Sequence, residues 1–175
     1  MGKTLRLFYA VPVPDDVRHE LRKVADSLGH DWRPSPESQL HITLAFMGEV
    51  PEEDLPRIIA AGEAAAQALE PFSLKLGSAG GFPNDHAPRV WFVHAESPGL
   101  LKLYDALKPG VVRWADAKPF KGHLTIARPR SPGAAGRPME INREWQVERF
   151  ELIRSNLGSS GAEHTLIRAF HLSGY

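Results

Sequence analysis

One phrase occurs twice in this chain of 175 residues. His41–Phe46 reads His-Ile-Thr-Leu-Ala-Phe, and His123–Arg128 reads His-Leu-Thr-Ile-Ala-Arg. In an extended strand, successive side chains point to opposite faces. Each copy then sets a histidine and a threonine on one face: His41 with Thr43, and His123 with Thr125. The other face is aliphatic, with Ile42 and Leu44 in one copy and Leu124 and Ile126 in the other. Both are half-buried strands that show an imidazole and a hydroxyl. The surroundings repeat too. An apolar run begins at Arg6, 35 residues before His41, and another at Arg89, 34 residues before His123. A helical pattern fills each gap. A strand–helix–strand unit used twice predicts a two-fold internal duplication, and the chain is expected to bring the two copies together.

Composition narrows the class. The chain is 42% hydrophobic and 24% charged, an ordinary globular balance, and has the length of one sizeable domain or two lobes sharing a core. A single domain over residues 1–175 is the expectation. The N-terminus runs straight into a strand pattern and no stretch is long enough to span a bilayer, so a cytoplasmic protein with no membrane partner is expected. Nothing suggests more than a monomer. Without cysteine there are no disulfides, thiolate nucleophiles or cysteine metal sites. Net charge is zero, unlike a protein that coats long nucleic acid. Yet Lys118, Lys121, Arg128, Arg130, Arg137 and Arg143 stand against the single acid Glu140 around the second motif. That stretch is either a solvated loop or a local anion site.

The local patterns predict seven or eight strands and three helices. Leu5–Val13 reads as a strand. A helix follows, with Asp15 or Asp16 as its cap and Val17, Leu21, Val24 and Leu28 on one face. Residues 30–39 read as a loop, and the first motif strand as 40–47, closed by Gly48. A second helix runs from Pro51 to about Leu69. Strands follow at 72–76 and 90–95, separated by the turn-prone stretch 77–86. A third helix spans 98–107 and is ended by Pro109-Gly110. Residues 129–143 read as a mobile loop or a candidate flap. Residues 145–157 read as one alternating strand, Gly158–Gly161 as a hairpin turn, and 164–172 as the last strand.

The paired motifs suggest a chemistry. Around an anionic phosphorus centre, one imidazole takes a proton from the attacking oxygen and the other gives one to the leaving oxygen. A side chain with a pKa near 6.5 suits both tasks. Thr43 and Thr125 can donate to the non-bridging oxygens. No metal or other cofactor is then required, and no ligand cluster, nucleophile elbow or phosphate-loop signature argues otherwise. Arg128, which matches Phe46 in the first copy, either clamps phosphate or pairs with an acid. Phe8, Tyr9, Trp32 and Phe82 could stack a base, though core packing is the commoner fate of such side chains. The other six histidines read as surface or packing residues.

At these motifs the chain resembles the bacterial and archaeal RNA 2′,3′-cyclic phosphodiesterases, also called 2′-5′ RNA ligases, of the two-histidine phosphoesterase superfamily. The likeness takes in His41-Ile-Thr-Leu and His123-Leu-Thr-Ile. It extends to Arg6-Leu-Phe-Tyr-Ala, Leu44-Ala-Phe-Met-Gly-Glu, Arg89-Val-Trp-Phe, Pro119-Phe, Ala127-Arg128 and Phe150-Glu-Leu-Ile-Arg-Ser. The resemblance implies a bilobal α+β fold of two antiparallel sheets facing across a cleft, helices outside, one motif per lobe. It implies hydrolysis of a terminal 2′,3′-cyclic phosphate on RNA to a 2′-phosphate. His41 would be the proton donor to the departing 3′ oxygen and His123 the base that activates water. Thr43 and Thr125 would hold the phosphate, and ATP-independent 2′-5′ joining of RNA ends is implied as a side activity. The chain departs from the family pattern at Lys121-Gly122, where a proline is expected beside the histidine. That predicts a more flexible approach to the second motif. Two rival readings are a non-catalytic RNA-end binding module and the same chemistry on a small cyclic nucleotide or nucleotide-sugar phosphate.

Overall fold

A computed structural model describes residues 2–115, 119–158 and 161–174. The first strand, β1 (Thr4–Pro12), is followed by helix α1 (Asp15–Asp26), the short β2 (Trp32–Pro34) and β3 (His41–Pro51). Helix α2 (Leu55–Ala68) leads to β4 (Phe72–Phe82) and β5 (Val90–Glu96), then α3 (Pro98–Val111) and β6 (His123–Pro129). Three strands end the chain: β7 (Met139–Val147), β8 (Arg149–Gly158) and β9 (Gly161–His171). They form two antiparallel sheets in the orders β3-β1-β8-β9 and β2-β6-β5-β4-β7. The α+β architecture is therefore as expected, with one motif strand in each sheet.

The duplication is visible in the pairing. In the four-stranded sheet β1 leads through α1 to β3 and pairs with it, Pro12 opposite His41 and Ala10 opposite Thr43. In the five-stranded sheet β5 leads through α3 to β6 and pairs with it, His94 opposite His123 and Phe92 opposite Thr125. The repeats are laced together. β2 comes from the first half but pairs with β6, and α1 packs on both of these strands. One buried cluster runs through both sheets and all three helices, with Leu7, Tyr9, Val11, Ile42, Trp91, Leu124 and Phe150 among its members. Among the described residues no helix is long and apolar enough to cross a membrane.

Several local expectations are corrected. The position before α1 is held by Pro14, extended at ψ 150, so Asp15 and Asp16 fall in the first turn and make no side-chain cap. There they suit the positive end of the helix dipole, and Asp16 also accepts a 2.6 Å hydrogen bond from Arg143. The 30–39 loop contains β2, which exists because the edge of β6 offers it partners. β3 continues past Gly48, whose positive φ of 66 accompanies a bulge and not a stop. β4 likewise runs on through the glycines to Phe82, with an irregularity between Leu76 and Ala79. Helix α3 passes Pro109 because Val111 extends the buried stripe of Leu100, Leu103 and Leu107. The 129–143 segment is no free flap: Ala134 is buried, Trp32 Nε1 donates to Ala135 O at 2.9 Å, and Met139 begins β7. The 145–157 strand is two strands in different sheets that change over at Glu148. The tip of the predicted 158–161 turn, Ser159 and Ser160, lies outside the described residues, as does Lys118.

Candidate active site

In an antiparallel pair, residues opposite each other share a face. On β1, Leu7, Tyr9 and Val11 enter the main core, while Phe8 and Ala10 form a second small buried cluster with Ile153. His41 and Thr43 belong to this second face. Phe8 stacks on His41, with ring centroids 4.9 Å apart. On β6 the equivalent face carries His123 and Thr125 beside His94 and Phe92, and Leu124 and Ile126 are buried. The period-two expectation for both motifs thus holds.

Just after each threonine the alternation breaks, in the same way in both copies. The register places Ala10 opposite Thr43 but Tyr9 opposite Ala45, so Leu44 is an extra residue. It places Phe92 opposite Thr125 but Trp91 opposite Ala127, so Ile126 is an extra residue. Each bulge reverses the facing of the residues beyond it. Leu44 and Ala45 are consecutive and both buried, as are Ile126 and Ala127. Phe46 and Arg128, which strict alternation would bury, turn instead to the face of the histidine and threonine. Arg6 lies over the Phe46 ring at 4.8 Å from its centroid.

A cavity of about 380 Å³ opens between the two motif strands. Thr43 and Phe46 line it from β3, and His123, Thr125 and Arg128 from β6; Lys121 adds a further wall. His41 is set back from this lining, half-buried against Phe8. Burial, and secondarily the neighbouring His164, lower its pKa to about 4. His123 is exposed, and its Nδ1 lies 2.9 Å from Lys121 O. When Nδ1–H donates to that carbonyl, the neutral ring keeps Nε2 free to accept a proton. Gly122, expected to loosen this approach, is instead tied in. Its carbonyl accepts from Ala95 N–H at 3.0 Å, and a Cβ there would sit 2.5 Å from Ala95 O. A side chain does not fit at that position. Among the described residues no three His, Asp or Glu side chains converge as a metal site.

The family model described as LigT like Phosphoesterase matches residues 11–92. A Thermus thermophilus protein named RNA 2′,3′-cyclic phosphodiesterase is 40% identical, over 97% of this chain and 91% of its own. The chain belongs to the LigT-like phosphoesterase family. The similarity to solved structures covers the LigT-like fold from end to end. TT0787 of Thermus thermophilus superposes with a TM-score of 0.89 at 41% identity, covering 97% of this chain and 99% of that one. Escherichia coli LigT, crystallised with 3′-AMP, gives a TM-score of 0.84 at 26% identity over 98% and 99%.

Two features of this LigT-like site escape the sequence. His164 on β9 has its ring centroid 5.4 Å from that of His41 and 5.1 Å from that of Phe8. Among the described residues its buried Nδ1 has no hydrogen-bond partner, and burial lowers its pKa. No local pattern links residue 164 to residue 41; only the β3-β1-β8-β9 pairing does. Arg33 on β2 lies directly opposite Arg128, and it too is invisible until β2 is known to be a strand. Of the aromatic candidates, Tyr9 and Trp32 are core residues, Phe8 packs on His41, and Phe82 is 60% exposed. Of the basic stretch, Arg143 is engaged with Asp16 and Glu20, so for that residue the structural reading stands.

Proposed function

We propose that the protein opens a terminal 2′,3′-cyclic phosphate on RNA to a 2′-phosphate by metal-independent proton transfer between two histidines. The observation that carries this reading is the matched pair of bulged His-x-Thr strands lining one cavity. His123 takes the proton of water as its oxygen bonds to phosphorus. The bond from phosphorus to the 3′ oxygen breaks, and His41 delivers a proton to that oxygen. The hydrogen bond from His123 Nδ1 to Lys121 O supports the basic role of its other nitrogen. Thr43 and Thr125 donate to the non-bridging oxygens, and Arg128 pairs with their negative charge.

His41 enters this scheme with a condition attached. Its low pKa makes it neutral near pH 7, whereas a proton donor must arrive charged. The phosphate anion brings an opposite charge to the ring, so substrate binding raises the proton affinity of His41. A ribose 5′-hydroxyl in place of water, attacking in the same step, gives a 2′-5′ bond without ATP.

The test is an RNA oligonucleotide ending in a 2′,3′-cyclic phosphate, incubated with excess chelator. A 2′-phosphate product is expected. His41→Ala and His123→Ala should each lower turnover by about 10²–10⁴ while melting as cooperatively as the parent. Full activity in either variant ends the reading, and substrate binding without product in the parent favours the binding module instead.

A further inference from the structure

The five-stranded sheet carries more positive charge than one cyclic ester requires. Beside the catalytic cavity lies a second, of about 550 Å³, lined by Pro88, Arg89, Arg128, Arg130 and Ser131 among others. Arg128 lines both. Arg33 stands opposite Arg128, and like charges facing across neighbouring strands repel. Among the described residues, none of Arg33, Arg89, Arg128 and Arg130 forms an ion pair. The nearby acid Asp85 is committed elsewhere, accepting from Gly81 N–H at 2.7 Å.

The walls of this cavity are held by their own hydrogen bonds. Asn84 Oδ1 accepts from the N–H groups of His86 and Ala87 at 2.9 and 2.8 Å. Arg89 N–H donates to Phe82 O at 2.6 Å. Arg130 N–H donates to Asp31 O at 2.7 Å, and its Nε donates to Trp32 O at 3.2 Å. Among the described residues its terminal nitrogens make no hydrogen bond or ion pair. Phe82 sits opposite Val90, on the face that bears Phe92 and Thr125, and its ring is open to solvent. A fixed arginine-lined pocket beside an exposed aromatic ring is the pairing that single-stranded nucleic acid uses: cations for the backbone and a platform for a base.

We propose that the second cavity binds the phosphodiester adjacent to the cyclic end of an RNA strand, with Arg89 and Arg130 as its ligands and Phe82 stacking a neighbouring base. The inference rests on the reading of the chain as an RNA cyclic phosphodiesterase. It makes the protein a strand-end enzyme, selective for an oligonucleotide over a nucleoside 2′,3′-cyclic phosphate.

The test compares kcat/KM on a nucleoside 2′,3′-cyclic phosphate with that on a trinucleotide ending in one. The trinucleotide should be favoured by at least about tenfold at low salt. Arg89→Gln and Arg130→Gln should each remove most of that preference and change turnover of the mononucleotide less than twofold. Each should also make the log–log salt dependence on the trinucleotide shallower by about 0.7, the value for one phosphate contact on a single strand. Arg89→Lys, which keeps the charge, should retain part of the preference. A trinucleotide with a neutral methylphosphonate at the adjacent linkage should behave on the parent as the normal one does on Arg89→Gln. Equal losses on both substrates, or no preference in the parent, overturn the inference and leave the cyclic phosphodiesterase reading standing. No turnover of either substrate by the parent would overturn both.

Discussion

The imidazole of His164 lies against that of His41, ring centroids 5.4 Å apart, with Phe8 closing the corner between them. Neither ring gains a carboxylate from this arrangement. Each is pushed toward its neutral form, chiefly by burial. The acid limb of kcat/KM, which reports the free protein, should therefore fall near pH 4 and not near 6.5. His164→Gln removes a like charge and should move that limb upward. It should stay below 6.5, because burial is the larger cause. A pH–rate profile of the two proteins checks both statements.

The same low pKa predicts how stability varies with pH. His41 titrates near 6.5 when unfolded and near 4 when folded, so between those values the unfolded chain binds the extra proton. Stability is then full above about pH 6.5 and falls as the pH drops toward 4, by up to about 3 kcal/mol from His41. Denaturant melts of the parent and of His41→Gln at pH 7 and pH 4.5 should show a smaller acid penalty in the variant.

Thr43→Val and Thr125→Val keep the branched shape that a strand favours and remove only the hydroxyl. Each should lower kcat by about 10²-fold, the usual cost of one preorganised oxyanion donor. The melting temperature should change little, since both side chains line a cavity. Steady-state kinetics on the cyclic-phosphate oligonucleotide, with a thermal melt as control, decides this.

Gly122→Ala addresses the approach to His123. The added methyl meets a backbone oxygen at 2.5 Å and Leu100 Cδ2 at 2.8 Å, and the backbone atom cannot rotate away. A loss of about 1–3 kcal/mol is expected, as for other overpacked sites. kcat should fall as well, because the same backbone holds Lys121 O against His123 Nδ1. A variant as stable and active as the parent would show that β5 and β6 can part locally.

Much of this site can be read from the chain alone, and what cannot has definite physical causes. Period two places His41 with Thr43 and His123 with Thr125 because those side chains precede any irregularity. The same rule assigns Phe46 and Arg128 to the buried face, and the bulges at Leu44 and Ile126 overturn it. A bulge depends on the partner strand's register, which no local pattern records. β2 is hidden for a related reason: three residues, the last of them a proline, form a strand only because β6 presents an edge. Helix α3 outlasts Pro109 because burial of Val111 offsets the lost backbone bond. His164 reaches His41 through three strand pairings, β9 with β8, β8 with β1 and β1 with β3. Local preference shows which segments are strands and which side chains are polar; register decides which of them meet.

The crossing of β2 into the far sheet bears on how a substrate gets in. β2 and α1 come from the first half of the chain yet pack on β6, so the chain crosses between the sheets on both sides of them, and the buried cluster around Trp32 is continuous with the core of the other sheet. Such lacing favours one gape of the two jaws, more vice than clamp. On the proposed function, an RNA terminus would thread in from the rim, and an end buried in duplex would have to fray before it could be reached.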